Sequence, residues 1–219
     1  MSIFKDRVLL IAGGAEGICK LVICHALDNS AKEIRVIDNN EDHLETLREE
    51  ILAQRPEAAT RMRYCCAEVC DSESVDDSMP GVDLVLCLPA LKTVTDVESF
   101  PANACCSLLR SVDNVMQSAI KLGAEKVVVI RPANKKASYK TSDLLAALLE
   151  KVVIAQGRYQ MKGTKTTVCC AHMDGDVTAL VDYAFAHANN ADLVLKQQDG
   201  YCCQPCDNPD FECDDLMNI

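Results

Sequence analysis

The run LLIAGGAEGICKLVICHAL, residues 9–27, decides the fold. Its first four residues are apolar without alternation, as in a strand covered on both faces. Gly13, Gly14 and Gly17 then turn the chain, and the rest has the period of an amphipathic helix. A strand, a glycine turn and a helix in that order form the context of a dinucleotide fingerprint. In Gly13-x-x-x-Gly17-x-Cys19, Gly13 permits the tight turn, and Gly17 lets backbone approach a pyrophosphate at the positive end of the helix. Cys19 stands where a third glycine would make room for close helix–strand packing. Its CH2SH group is therefore expected to push the helix outward and to weaken a ligand at the turn. The run is not a phosphate-binding P-loop, because no Ser or Thr follows Lys20.

Asp38 ends the next apolar run, 25 residues after Gly13. A carboxylate there accepts hydrogen bonds from an adenosine ribose, and it favours NAD over NADP, whose extra phosphate it would repel. The competing reading is plainer. Gly13 and Gly17 serve only a tight turn, and Asp38 only opens the next loop.

The same alternation continues down the chain. Residues 7–12, 33–38, 61–66, 83–88, 125–131, 166–171 and 191–196 read as strands. Between them, Leu44, Leu47, Ile51 and Leu52 make one helical stripe, with Asn39 or Asn40 as N-cap ahead of Glu41 and Asp42. Residues 102–122 and 140–158 are two longer helices. The second, built on LLAALLEKVVIA, is apolar around most of its circumference. This pattern predicts an α/β, Rossmann-like doubly wound parallel sheet in the order 3-2-1-4-5-6-7, with right-handed crossovers. Residues 1–199 form the single domain, and 200–219 a Cys-rich acidic tail.

Composition narrows the function. The chain has 219 residues, 49% of them hydrophobic, enough for a full core. Asp and Glu number 33 against 22 Lys and Arg, a net charge of -11, which argues against nucleic acid and anionic membranes as partners. No apolar run approaches the roughly 20 residues that span a bilayer. The short run 8–12 reads as the first strand and not as a signal peptide, so the expectation is a cytoplasmic protein. Its 14 cysteines then point to buried thiols, metal ligands or redox chemistry before structural disulfides.

Cys65, Cys66, Cys87, Cys169 and Cys170 fall near strand ends, where a parallel sheet opens its crevice. Cys24, Cys105 and Cys106 lie on helices and are expected as small buried hydrophobes. In the tail, Cys202, Cys203, Cys206 and Cys213 contain one C-x-x-C and are candidate ligands of a metal or iron–sulfur cluster, a fourth thiolate coming from the tail or the crevice. His25, His43, His172 and His187 have no ligand spacing.

The stretches VLLIAGGAEGIC, AKEIRVIDNNEDHLETLREEI, GVDLVLCLPALKTVTDVESFP and AIKLGAEKVVVIR resemble the short-chain dehydrogenase/reductase superfamily, within it the polysaccharide-biosynthesis branch related to UDP-N-acetylglucosamine 4,6-dehydratases. The resemblance covers residues 6–131, and more weakly up to 177. It implies that Gly13, Gly17 and Ile18 face the pyrophosphate, Asp38 and Asn39 the adenosine ribose, Glu68 and Val69 the adenine, and Pro89 and Ala90 the nicotinamide side. It also implies pairing of two copies through helices 102–122 and 140–158, which would bury the excess apolar surface of the second helix.

The sequence departs from that family at the chemistry. Such enzymes carry a Ser or Thr after the fifth strand and a Tyr-x-x-x-Lys or Met-x-x-x-Lys pair on the next helix. Here the strand ends in Arg131-Pro132-Ala133, and the helix offers Ser142, Asp143, Leu144, Leu145 and Ala146. No Tyr-x-x-x-Lys occurs in the chain. Asp143 stands four residues after Tyr139, and Met161 and Lys165 fall after the helix, beside the next strand. The family's sugar-nucleotide pocket is built by about a hundred C-terminal residues, against one helix, one strand and the tail here. The expectation is a non-catalytic binding, scaffolding or sensing protein that keeps NAD(H). An active NAD-dependent oxidoreductase or nucleotide-sugar enzyme and a thiol-based metal or redox protein are the alternatives.

Overall fold

A computed structural model describes residues 2–14, 18–89, 94–132, 141–159, 166–173, 176–188 and 194–196. The strands are β1 (Val8–Ala12), β2 (Glu33–Asp38), β3 (Met62–Cys66), β4 (Leu84–Cys87), β5 (Lys126–Pro132), β6 (Thr167–Met173) and β7 (Val194–Lys196). The helices are α1 (Ile18–Asp28), α2 (Glu41–Gln54), α3 (Ser72–Ser78), α4 (Val94–Ser99), α5 (Pro101–Leu122), α6 (Thr141–Tyr159) and α7 (Val177–His187), with a 3₁₀ turn at Pro56–Thr60. All strand pairs are parallel, and the order is β3-β2-β1-β4-β5-β6-β7, as the sequence pattern predicts. The short helices α3 and α4 have too few turns to show a period and were not anticipated.

The unbroken apolar strands are explained by what covers them. Along β1, Leu9 and Ile11 enter one core with α1, α2 and α7, while Val8, Leu10 and Ala12 enter the other with α3, α5 and α6. The same split runs through β4 and β5, because successive side chains leave a strand on opposite faces. Asn40 caps α2, its side chain accepting the His43 N–H at 3.1 Å, and Leu44, Leu47 and Ile51 are the buried stripe. Leu52 lies at the margin, half-buried.

Register brings the carboxyl ends of the central strands to one level. Ala12 stands opposite Ile37 on one side and Cys87 on the other, and Asp38 stands opposite Cys66. The ladder continues past the strands: the Gly13 N–H donates to Ile37 O at 2.8 Å, Leu88 N–H to Ala12 O at 2.9 Å, and Ala67 N–H to Asp38 O at 2.9 Å. Gly13 has φ +79°, and a Cβ there would lie 2.6 Å from the Leu88 carbonyl oxygen. Glycine is thus required by both the turn and the neighbouring strand. Gly17 and the tail 200–219, with Cys202, Cys203, Cys206 and Cys213, fall outside the described residues.

Burial corrects one group of expectations. Cys24 and Cys105 are only half-buried against the two cores, and Cys106 is exposed. On α5 the buried stripe is Leu108, Val112, Val115, Met116 and Ala119, and Cys106 sits about 200° around the helix from Leu108. The broad apolar surface of α6 is also only partly used. Leu145, Leu149 and Val153 are buried, whereas Leu144 and Leu148 remain 53% and 41% exposed. Among the described residues no helix is long and apolar enough to cross a membrane.

Candidate functional site

Where β1, β2, β3 and β4 end, a cavity of about 740 Å³ opens against α5. That is a size typical of small-molecule sites. Gly13, Asp38, Asn39, Glu68, Val69 and Pro89 all line it. Residues from four separate stretches of the sequence are therefore gathered around one space. Ile18 is not in its wall but packs, partly buried, against the core beneath α1. Gly17 and Ala90 lie outside the described residues.

The polar groups of the site are held by one another and by backbone. Asp38 is only 8% exposed, and its Oδ1 accepts the Asn40 N–H at 2.9 Å, which fixes the loop into α2. Asn39 Nδ2 donates to Glu68 Oε1 at 2.8 Å and so ties the loop after β2 to the loop after β3. The second loop is in turn tied to α5. Asn114 Nδ2 donates to Val69 O at 3.1 Å, Cys70 Sγ to Ser107 O at 3.3 Å, and Cys70 Sγ and Ser111 Oγ are 3.0 Å apart. Asp71 caps α3 by accepting from Ser74, which holds its carboxyl below the usual carboxylate range.

The fourth wall was not read from the sequence. Ala104, Ser107, Arg110, Ser111 and Asn114 of α5 all reach the cavity. The signal was present, since positions 107, 110, 111 and 114 have the i, i+3, i+4, i+7 spacing of one helical face and all four are polar. The strong apolar stripe beside them, read as core, drew the attention.

The thiols among the described residues do not gather into a metal centre. Among the described residues no group of three or more His, Cys, Asp or Glu side chains is placed to hold a metal ion. Cys65 and Cys66 are exposed at the end of the edge strand β3. Cys87 lines the cavity, but burial pushes its thiol up to about 12, so it is neutral and a poor nucleophile at pH 7. Cys19 does not line the cavity at all. It is completely buried in the core beneath α1, and burial, with the Asp38 charge second, pushes its thiol up to about 12. His25 is used in a 2.9 Å pair with Asp182, and His187 stacks on Tyr183.

The residues present fit the adenosine half of a dinucleotide: a glycine turn, a carboxylate at the end of the second strand, and a loop after the third. The described lining residues include no His, Lys or Tyr, and their one cation is Arg110.

Comparison with known proteins is consistent with this geometry. Residues 9–178 match the family model described as polysaccharide biosynthesis protein. The UDP-glucose 4-epimerase of Rickettsia canadensis is 33% identical over 182 residues, which are 80% of this chain and 50% of that protein. The corresponding epimerase of Rickettsia felis is 30% identical over 180 residues, again 80% and 50% of the two chains. The chain thus spans about half the length of the curated relatives it matches. Among solved structures, Pen from Bacillus thuringiensis superposes with a TM-score of 0.79 at 19% identity, covering 89% of this chain and 70% of that one. The Bordetella bronchiseptica enzyme WbmF, in complex with NAD+ and UDP, gives 0.61 at 13% identity, covering 80% and 50%. At such identities these two show the fold alone.

Proposed function

Since the chain belongs to the polysaccharide biosynthesis protein family, with the Rossmann-like fold of short-chain dehydrogenases and reductases, we propose that it is a nucleotide-binding member of that family which retains NAD(H) and does not itself dehydrate or epimerise sugar nucleotides. One observation carries the reading. Of the positions that would hold adenosine and pyrophosphate, Gly13, Asp38, Asn39, Glu68 and Val69 line one cavity, whose described residues offer three carboxylates and a single guanidinium but no His, Lys or Tyr. Bound there, NAD(H) would supply hydride chemistry. This chain's own residues would hold and orient it, through the backbone at Gly13 and Gly17, Asp38 and Asn39 toward the ribose, Glu68 and Val69 toward the adenine, and Pro89 and Ala90 on the nicotinamide side. The resulting role is that of a binding, scaffolding or sensing protein.

Calorimetry with NAD, paired with an assay for 4-keto-sugar formation from UDP-sugars, tests both halves. The expected result is NAD binding that Asp38→Asn weakens about 10-fold or more, since a hydrogen bond to a charged group contributes roughly 1.5–3 kcal/mol, together with no keto-sugar above a no-protein control. Absence of NAD binding, or turnover that survives removal of contaminating enzymes, would reject it.

Two copies of the chain are proposed to pair through α5 and α6. The support is the apolar excess on α6, where Leu144 and Leu148 stand one helical turn apart and exposed. Sedimentation equilibrium at micromolar concentration should find a dimer that Leu144→Lys with Leu148→Lys dissociates, and a monomeric parent protein would sink the proposal.

A further inference from the structure

Arg110 stands apart from the other charged groups of the cavity. Three carboxylates line the same space, and each is already engaged: Asp38 by the Asn40 N–H, Glu68 by the Asn39 amide, and Asp71 by Ser74. Arg110 has no hydrogen-bond or ion-pair partner among the described residues, in a chain whose acidic residues outnumber its basic ones 33 to 22. An exposed arginine that lines a cavity and is left unpaired amid so many carboxylates has its donors and its flat face available to a ligand.

Its place along the cavity says which part of a ligand it meets. On the proposed reading of the cavity, whose wall includes Gly13 and Asp38, Gly13 would lie at the phosphate end and Asp38 at the ribose. The loop after β3 lies beyond, and three contacts lock it onto the α5 face that carries Arg110: Asn114 to Val69, and Cys70 to Ser107 and to Ser111. Arg110 therefore stands at the end where the base of a nucleotide would lie. Glu68 and Asp71 line that same end, so an anionic group there would face two carboxylates. A neutral, flat, nitrogen-rich ring would not, and it offers a guanidinium both a π face and acceptor nitrogens, with the apolar side chain of Val69 as further wall.

We propose that Arg110 is a specificity-determining residue of the nucleotide site, its guanidinium resting on the purine of the bound nucleotide and selecting adenine-bearing ligands. The inference rests on the reading of the cavity as a dinucleotide site and names the residue that recognises its base.

Competition calorimetry with NAD, ADP and nicotinamide mononucleotide, on the parent chain, Arg110→Ala and Arg110→Lys, tests it. Arg110→Ala should weaken ADP and NAD by the same factor, about 10-fold, and leave nicotinamide mononucleotide unchanged. Arg110→Lys should recover little, because an ammonium has no planar face. Unchanged ADP affinity in Arg110→Ala would overturn the inference while leaving the nucleotide site standing. Equal weakening of nicotinamide mononucleotide, or full recovery in Arg110→Lys, would reduce Arg110 to a general counter-charge and also overturn it. A parent chain that binds none of the three overturns the site and the inference together. Arg110 is exposed, so its variants should melt as the parent does, and unchanged melting shows that any lost affinity is local.

Discussion

Gly13→Ala is the most direct test of how the turn is built. Two costs add at that position, and Gly123 separates them. Both glycines have a positive φ, +79° at Gly13 and +81° at Gly123, so alanine at either one pays the left-handed backbone cost of roughly 1–2 kcal/mol. At Gly123, the C-cap of α5, a new Cβ has nothing within 4 Å. At Gly13 it would lie 2.6 Å from the Leu88 carbonyl oxygen. Neither backbone can withdraw freely, because Gly13 is bonded to Ile37 O at 2.8 Å and Leu88 to Ala12 O at 2.9 Å. Relieving the overlap means losing or stretching at least one of these, at about 1 kcal/mol each. Gly123→Ala should thus cost about 1–2 kcal/mol and Gly13→Ala about 2–4 kcal/mol. In thermal unfolding of a chain this size each kcal/mol lowers Tm by roughly 2–4 °C. Urea midpoints at constant m-value measure both variants. If Gly13→Ala is no more destabilising than Gly123→Ala, the contact with Leu88 is not a constraint and the account of the turn fails.

Cys19→Gly should destabilise the fold by about 2 kcal/mol, from glycine in a helix and the loss of a fully buried side chain, and change NAD affinity by less than about 2-fold; tighter binding in the variant would show that the buried thiol holds the helix away from the ligand. Asp76 is held below the usual carboxylate range, first by its hydrogen bond from Lys121, at 2.6 Å. A depressed folded-state value means that this contribution is present above the unfolded pKa of about 3.9 and is lost as pH falls through the lower folded value. Urea midpoints from pH 7 down to about pH 3 should therefore fall less in Lys121→Met than in the parent, and parallel curves would reject the coupling.

The fold was legible because its signals are local and repeated. Each apolar run long enough for one strand is followed by a turn or a capping residue, and the order of the sheet is that of the doubly wound fold which the first glycine turn implies. Asp38 was legible as the last residue of β2, whereas Glu68 and Pro89, two residues past β3 and β4, came only from the family resemblance. Boundaries moved by only a residue or so in the central strands: 33–38 is unchanged, and 83–88 shortens to Leu84–Cys87. What a strand end does not tell is depth. Cys65 and Cys66 look like crevice residues in the sequence, yet β3 is the edge of the sheet and leaves both exposed.

Cys19 and α5 show where reading by motif stops. A fingerprint compares residue types at fixed spacing, so it registers Cys19 only as a missing glycine. Which way the side chain leaves the helix is set by rotation about the helix axis, and here it points into the core that holds Leu9, Ile11 and Val36. The thiol therefore acts on packing, and reaches the site only through the position of α1. The opposite holds for α5. Its Arg110 matches no motif and looks like a surface residue on an amphipathic helix, because the sequence does not show that the polar side of that helix faces a loop from another strand. The contacts from Asn114 and Ser107 to residues 69 and 70 bring that loop in. A polar helical face thereby becomes a cavity wall, and the residue left unpaired on it becomes the one with the most to offer a ligand.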